Sequence, residues 1–182
     1  MRRTPPVTVF LGFLGLLSVM MNVCNALKEI VWIRHACTHM NEYLGRNRAF
    51  APGFTDIFAS DKDRDLYHDT QLSQYGIRQA RALYKSKPAF CQQVDLVVTS
   101  PLRRALQTLD LGLREHLQQD DNDSSTRSIP IVAHPAAAER LYVVSDLGSP
   151  VEKLRREYEW CNFDELLLHV KDEGNWWWQH SD

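Results

Sequence analysis

The sequence predicts an α/β fold, a parallel-type central sheet with helices on both faces, from two observations. Three short apolar runs, Ile30 to Ile33, Val94 to Val98 and Ile129 to Ala133, have the length of buried strands. Helical patterns separate them, and strands that alternate with helices cross over in parallel. The 182 residues are 44% hydrophobic and 24% charged, the balance of one globular domain, which excludes a disordered chain, a collagen or a disulfide miniprotein. A net charge of −2 excludes a global attraction for nucleic acid, so any phosphate binding has to be local.

The first 26 residues read as a separate object. Arg2 and Arg3 precede an apolar run from Val7 to Val23, and Cys24-Asn25-Ala26 resembles a signal-peptidase site. The expected boundaries are a signal peptide over 1–26 and a domain over 27–182. The rival reading is an uncleaved membrane anchor, for which the run is at the short limit. The next strand begins so close to Ala26 that almost no linker would hold the domain clear of lipid, which favours cleavage. The expected location is the secretory pathway or the extracellular space, with membrane-anchored or cytoplasmic as alternatives. Cleavage would leave Cys37, Cys91 and Cys161, an odd set with at least one thiol unpaired or bridged to another chain. Asn122-Asp123-Ser124 is a glycosylation sequon in the polar stretch from Gln118 to Ser128.

The helices follow in order. Ile77, Ala80, Leu83 and Tyr84 share one face between Ser73 and Lys87, and Pro88 stops the helix. After Ser100, a capping serine, Pro101 fits the first helical position, and Leu102, Ala105, Leu106, Leu109, Leu113 and Leu117 continue one long buried face. Ser149-Pro150-Val151-Glu152 has the spacing of a capping box.

Ligands of parallel sheets sit beyond the carboxyl ends of the strands. There the sequence puts Arg34 and His35, then Ser100 to Arg104, then His134 to Arg140 with Glu139. His35 leaves its strand on constrained backbone. Arg104 stands in the first turn of a helix, where free N–H groups and the macrodipole already favour an anion. A buried imidazole beside two arginines is held neutral, with a lone pair free to attack phosphorus.

Arg34-His35-Ala36-Cys37-Thr38-His39-Met40-Asn41 resembles the opening signature of the histidine phosphatase (phosphoglycerate mutase-like) superfamily. Asp69 to Gly76 with Gln79-Ala80, Ser100 to Thr108, and Glu139-Arg140-Leu141 with Ser145 to Pro150 resemble its later blocks in order. The resemblance implies a phosphoglycerate mutase-like fold in which His35 takes a phosphoryl group. It implies that Arg34 and Arg104 neutralise its oxygens, that Asn41 contacts phosphate or substrate, and that Glu139 protonates the leaving oxygen and then deprotonates the incoming water or alcohol. The implied partner is a small phosphorylated substrate, with no cofactor, no metal and no nucleic acid, and with a membrane only if the N-terminal segment stays uncleaved. Nothing in the sequence sets the oligomeric state.

The chain departs from the family at one place. The family has a second histidine, usually followed by Gly, on a later strand that lies inside the sheet beside the first. His134, His169 and His180 do not match it, so the expected domain is incomplete at its C-terminus. The interval from Asn41 to Asp69 is long enough for a loop that covers the pocket. A metal site at His35, Cys37 and His39 is disfavoured by the cations beside it. Trp176 to Trp178 read as packing before a membrane anchor or sugar platform, Arg103 as solvated or ion-paired, and Glu152, Glu157 and Glu159 as surface charges. The leading function is phosphatase or mutase-like phosphoryl transfer; the alternative is a catalytically inactive phospho-ligand-binding or regulatory relative.

Overall fold

The computed structural model describes residues 29–46, 66–117, 129–170 and Trp177 in full, and Val7–Leu11 by its backbone. The sequon, residues 47–65 of the interval between Asn41 and Asp69, His180, Trp176 and Trp178, and the rest of the N-terminal run lie outside the described residues.

Four parallel strands, β1 (Val7–Leu11), β2 (Glu29–Ile33), β3 (Val94–Thr99) and β4 (Ile131–Ala133), lie in the order β2-β1-β3-β4. This is the α/β architecture with a small parallel sheet that the sequence predicts. The position of β1 was not expected. The N-terminal run read as a leader, yet residues 7–11 of it lie between β2 and β3, so the domain boundary at residue 26 does not coincide with a boundary of the sheet. A short apolar run is compatible with a leader and with a strand buried on both faces, and hydropathy does not separate the two. Leu11 pairs with Ile33 on one side and Thr99 on the other, which brings the carboxyl ends of β2 and β3 level. Cleavage after Ala26 would remove this strand.

The core packs on β3. Leu102, Leu106, Leu109, Leu113 and Leu117 are all buried against Val94, Val97 and Ile131, and burial of each leucine contributes about 1.5–3 kcal/mol. Leu106 and Leu109 lie in α3 (Arg103–Gly112) and Leu117 in α4 (Arg114–Leu117), with Leu102 and Leu113 as the flanking residues of α3, because the backbone breaks at Leu113. The expected single helix from Ser100 is therefore shorter and begins later. The Ser100 hydroxyl accepts from Leu102 N at 3.3 Å, a local turn, and Asp69 Oδ1 caps Arg103 N at 2.9 Å from far along the chain.

The remaining helices are α1 (His39–Arg46), α2 (Gln74–Lys85), α5 (Val151–Glu157) and α6 (Asp164–Leu167). Helix α2 starts as expected, with Ser73 accepting from Gly76 N. The capping box expected at Ser149 does not form; Pro150 precedes α5 without a side-chain cap. Ser149 N donates instead to Asp69 Oδ2 at 2.9 Å, and Ser149 O accepts from Trp177 Nε1 at 3.0 Å. Trp177 is core, packed so closely on Gly148 that a Cβ there would lie 2.2 Å from the indole.

Candidate functional site

His35, Arg104 and Glu139 follow β2, β3 and β4 and meet in one narrow hollow of about 10 Å3, with Ser100 and Ala137 beside them. That space holds a single water-sized group. On its other side His35 lines a wider hollow of about 500 Å3 together with Arg34, Asn41, Tyr75 and Gln79. The five residues singled out in the sequence are therefore divided between two hollows with His35 common to both. His35, Cys37 and His39 do not assemble: no three His, Cys, Asp or Glu side chains among the described residues form a group that could hold a metal.

The loop that carries His35 is clamped at three points. Ala36 N donates to Thr108 Oγ1 at 3.0 Å, Cys37 N donates to Gln79 Oε1 at 2.9 Å, and Cys37 O accepts from Ser73 N at 3.0 Å. Gly76 is required at the third: a Cβ on it would stand 1.9 Å from the Cys37 carbonyl oxygen. Thr108 also donates to the Arg104 carbonyl at 2.8 Å, so one hydroxyl ties the histidine loop to the helix of the arginine.

The His35 ring has a defined tautomer and charge state. Nδ1 lies 2.8 Å from the Ala36 carbonyl, which only accepts, so Nδ1 carries the proton and the lone pair stands on Nε2. Its pKa is pushed down to about 4, first by burial and then by Arg104, with Arg34 adding to this and the Ala36 bond opposing it. The imidazole is neutral through the physiological range.

Arg104 is buried and doubly anchored. Nη1 donates to Ser145 O at 2.6 Å and Nη2 to Asp146 Oδ1 at 3.1 Å, which uses two of the five N–H donors that a guanidinium carries. Arg103 points elsewhere, with Nε 3.1 Å from Glu157 Oε2, so Glu157 has a partner and is not simply a surface charge. Burial pushes the Glu139 carboxyl above the ordinary carboxylate range and Asp146 adds to it, while Arg104, the Arg140 N–H and Arg34 oppose. Asn41 spends its side-chain oxygen on Thr38 N at 3.1 Å, reciprocated by Thr38 Oγ1 and Asn41 N at 3.0 Å. Its NH2 group is the part with donors to offer a ligand.

No second histidine lines either hollow among the described residues. His134 follows β4 and its Nδ1 accepts from Ala136 N at 3.1 Å, and His169 is exposed. Sequence reasoning assigned no role to Asp69, Gln79, Thr108 and Asp146. Each stood inside a motif block, and a carboxylate, amide or hydroxyl within such a block is the signal that marks a positioning group.

Residues 65–125 match the family model of the histidine phosphatase superfamily (branch 1). Over these residues the chain is similar to that superfamily, which supports the resemblance read from the motif blocks. The histidine phosphatase match takes in Asp69, Gln79, Arg104 and Thr108, while His35 and Glu139 lie outside it. No curated protein and no solved structure matches the chain. The match supports phosphatase or mutase-like chemistry in general.

Proposed function

We propose that this chain transfers the phosphoryl group of a small phosphomonoester through a phosphohistidine formed on His35. The observation that carries the reading is the neutral His35 ring, protonated on Nδ1, in one hollow with Arg104 and Glu139. In the first step the Nε2 lone pair forms a bond to phosphorus while the bond to the leaving oxygen breaks, and the Glu139 carboxyl gives that oxygen its proton. In the second, water attacks phosphorus, its proton passes to the Glu139 carboxylate, and the N–P bond electrons return to Nε2. Arg104 from the narrow side, with Arg34 and Asn41 from the wider side, neutralises and orients the phosphoryl oxygens, which is most of what this reaction asks of a protein. The larger hollow has the volume of a small-ligand pocket and suits the body of the substrate.

A second reading, a phospho-ligand-binding relative without turnover, is favoured by one observation: no second histidine joins Arg104 and Arg34 among the described residues lining the hollows. Incubation with a phosphomonoester labelled on phosphorus separates the two. The enzyme reading expects an acid-labile, base-stable phosphate on His35 that water discharges and that His35→Ala lacks. Saturable binding with no label on the parent protein would leave only the second reading.

A further inference from the structure

The Arg104 guanidinium would be expected to face its anion alone, yet it is met by a buried carboxylate that no motif assigns to the chemistry. Asp146 is nearly inaccessible, as is Arg104, and both of its oxygens are occupied. Oδ1 accepts from Arg104 Nη2 at 3.1 Å, and Oδ2 accepts from Tyr142 N and Val143 N, each at 3.1 Å. One carboxylate thus joins the helix that bears Arg104 to the turn that follows Glu139 in the chain. Ser145 O completes the fork on the guanidinium at 2.6 Å.

We propose that Asp146 is a positioning residue of this site, holding the Arg104 guanidinium in place and fixing the Glu139 segment against it; this rests on the phosphoryl-transfer reading above. Two consequences follow from the geometry. An anchored guanidinium meets a phosphoryl group without first losing side-chain freedom, which is the advantage of preorganisation. Among the described residues, Asp146 is the negative group that acts on Glu139, set against Arg104 and Arg34, with His35 neutral in the same hollow. The Asp146 charge therefore favours a protonated Glu139, the form that a leaving oxygen needs.

The test reads the Glu139 carboxyl titration by NMR, assigned with Glu139→Gln, and the affinity for inorganic phosphate by calorimetry. Asp146→Asn keeps an oxygen for Arg104 and removes the charge: Glu139 should titrate at lower pH than in the parent. Asp146→Ala removes the anchor as well, and phosphate should bind about tenfold more weakly, the worth of a hydrogen bond to a charged group. An unmoved Glu139 titration in folded Asp146→Asn overturns the proposal, as does an Asp146→Ala protein that binds phosphate as tightly as the parent. If Asp146→Ala does not fold, the titration in Asp146→Asn decides alone. Neither readout needs turnover, so a chain that never labels His35 fails the functional reading and still answers this one.

Discussion

The two sides of the site are built differently. Arg104 rises from β3, whose Val94 and Val97 are fully buried, and its guanidinium is held by two described partners in the interior. His35 leaves β2, on which Ile30 is 44% and Trp32 51% exposed, and its position depends on the loop clamps at Ala36 and Cys37. The Arg104 side is made rigid by the core, whereas the His35 side is made rigid by hydrogen bonds added after the strand has ended. The contrast teaches that a site can have one wall set by burial and the other by polar latches, and that the two walls should fail under different perturbations.

The largest effect is expected from removing residues 1–26. In the described sheet β2 reaches β3 only through β1, so the shortened chain loses the strand that joins the two walls. The loss should exceed the roughly 5–15 kcal/mol that holds a domain together. Circular dichroism on heating should then show no cooperative transition. A shortened protein that melts as sharply as the parent would mean that the walls do not need β1 and that the run is free to be a leader.

Next comes the arginine pair. Arg104→Ala leaves Asp146 buried without its cation, and breaking such a pair costs about 3–5 kcal/mol. Arg34→Ala, at an exposed position, should cost less than about 0.5 kcal/mol. Urea denaturation of the two variants measures the difference directly, and equal losses would erase the contrast between the walls.

Much of this arrangement was legible in the sequence, and the limit of legibility has a physical form. Apolar runs mark β2, β3 and β4, Ser73 caps α2 as its local spacing requires, and the strand ends point to His35, Arg104 and Glu139. What periodicity misses is the long-range polar contact. Asp69 caps Arg103 across 34 residues and Ser149 across 80, and Arg104 meets Asp146 across 42. Those contacts displaced the predicted start of α3 and drew Ser149 away from the capping box. The pairing of Val7–Leu11 was hidden for a different reason: the composition of the run satisfies a leader and a strand equally well, and the pairing with β2 and β3 is a long-range contact that hydropathy does not carry.

Acid should loosen the histidine side by a smaller amount. The folded His35 pKa of about 4 lies below its ordinary 6.5, so the unfolded chain binds the proton more readily. The contribution is fully present above about pH 6.5 and is lost as pH falls toward about 4. Discounted for the partial exposure of the ring, it is worth about 1–2 kcal/mol. Comparing urea midpoints at the two pH values in the parent and in His35→Gln isolates it, since the variant has no proton to gain there. An equal acid loss in both would assign the effect to other groups.

The smallest effect is expected on the outer face of β2. Ile30→Thr keeps the β-branch and exchanges the ethyl arm of a half-exposed side chain for a hydroxyl that water can reach, so neither strand preference nor hydrogen bonding is disturbed. The change in stability should stay within about 0.5 kcal/mol. The strand that leads to His35 can tolerate this only because its fixation lies elsewhere, in the Ala36 and Cys37 latches and in the pairing with β1. If the loss instead passes about 1 kcal/mol, in the range of a buried apolar group, then Ile30 has a packing partner, β2 is held by burial after all, and the two walls of the site are one kind of structure.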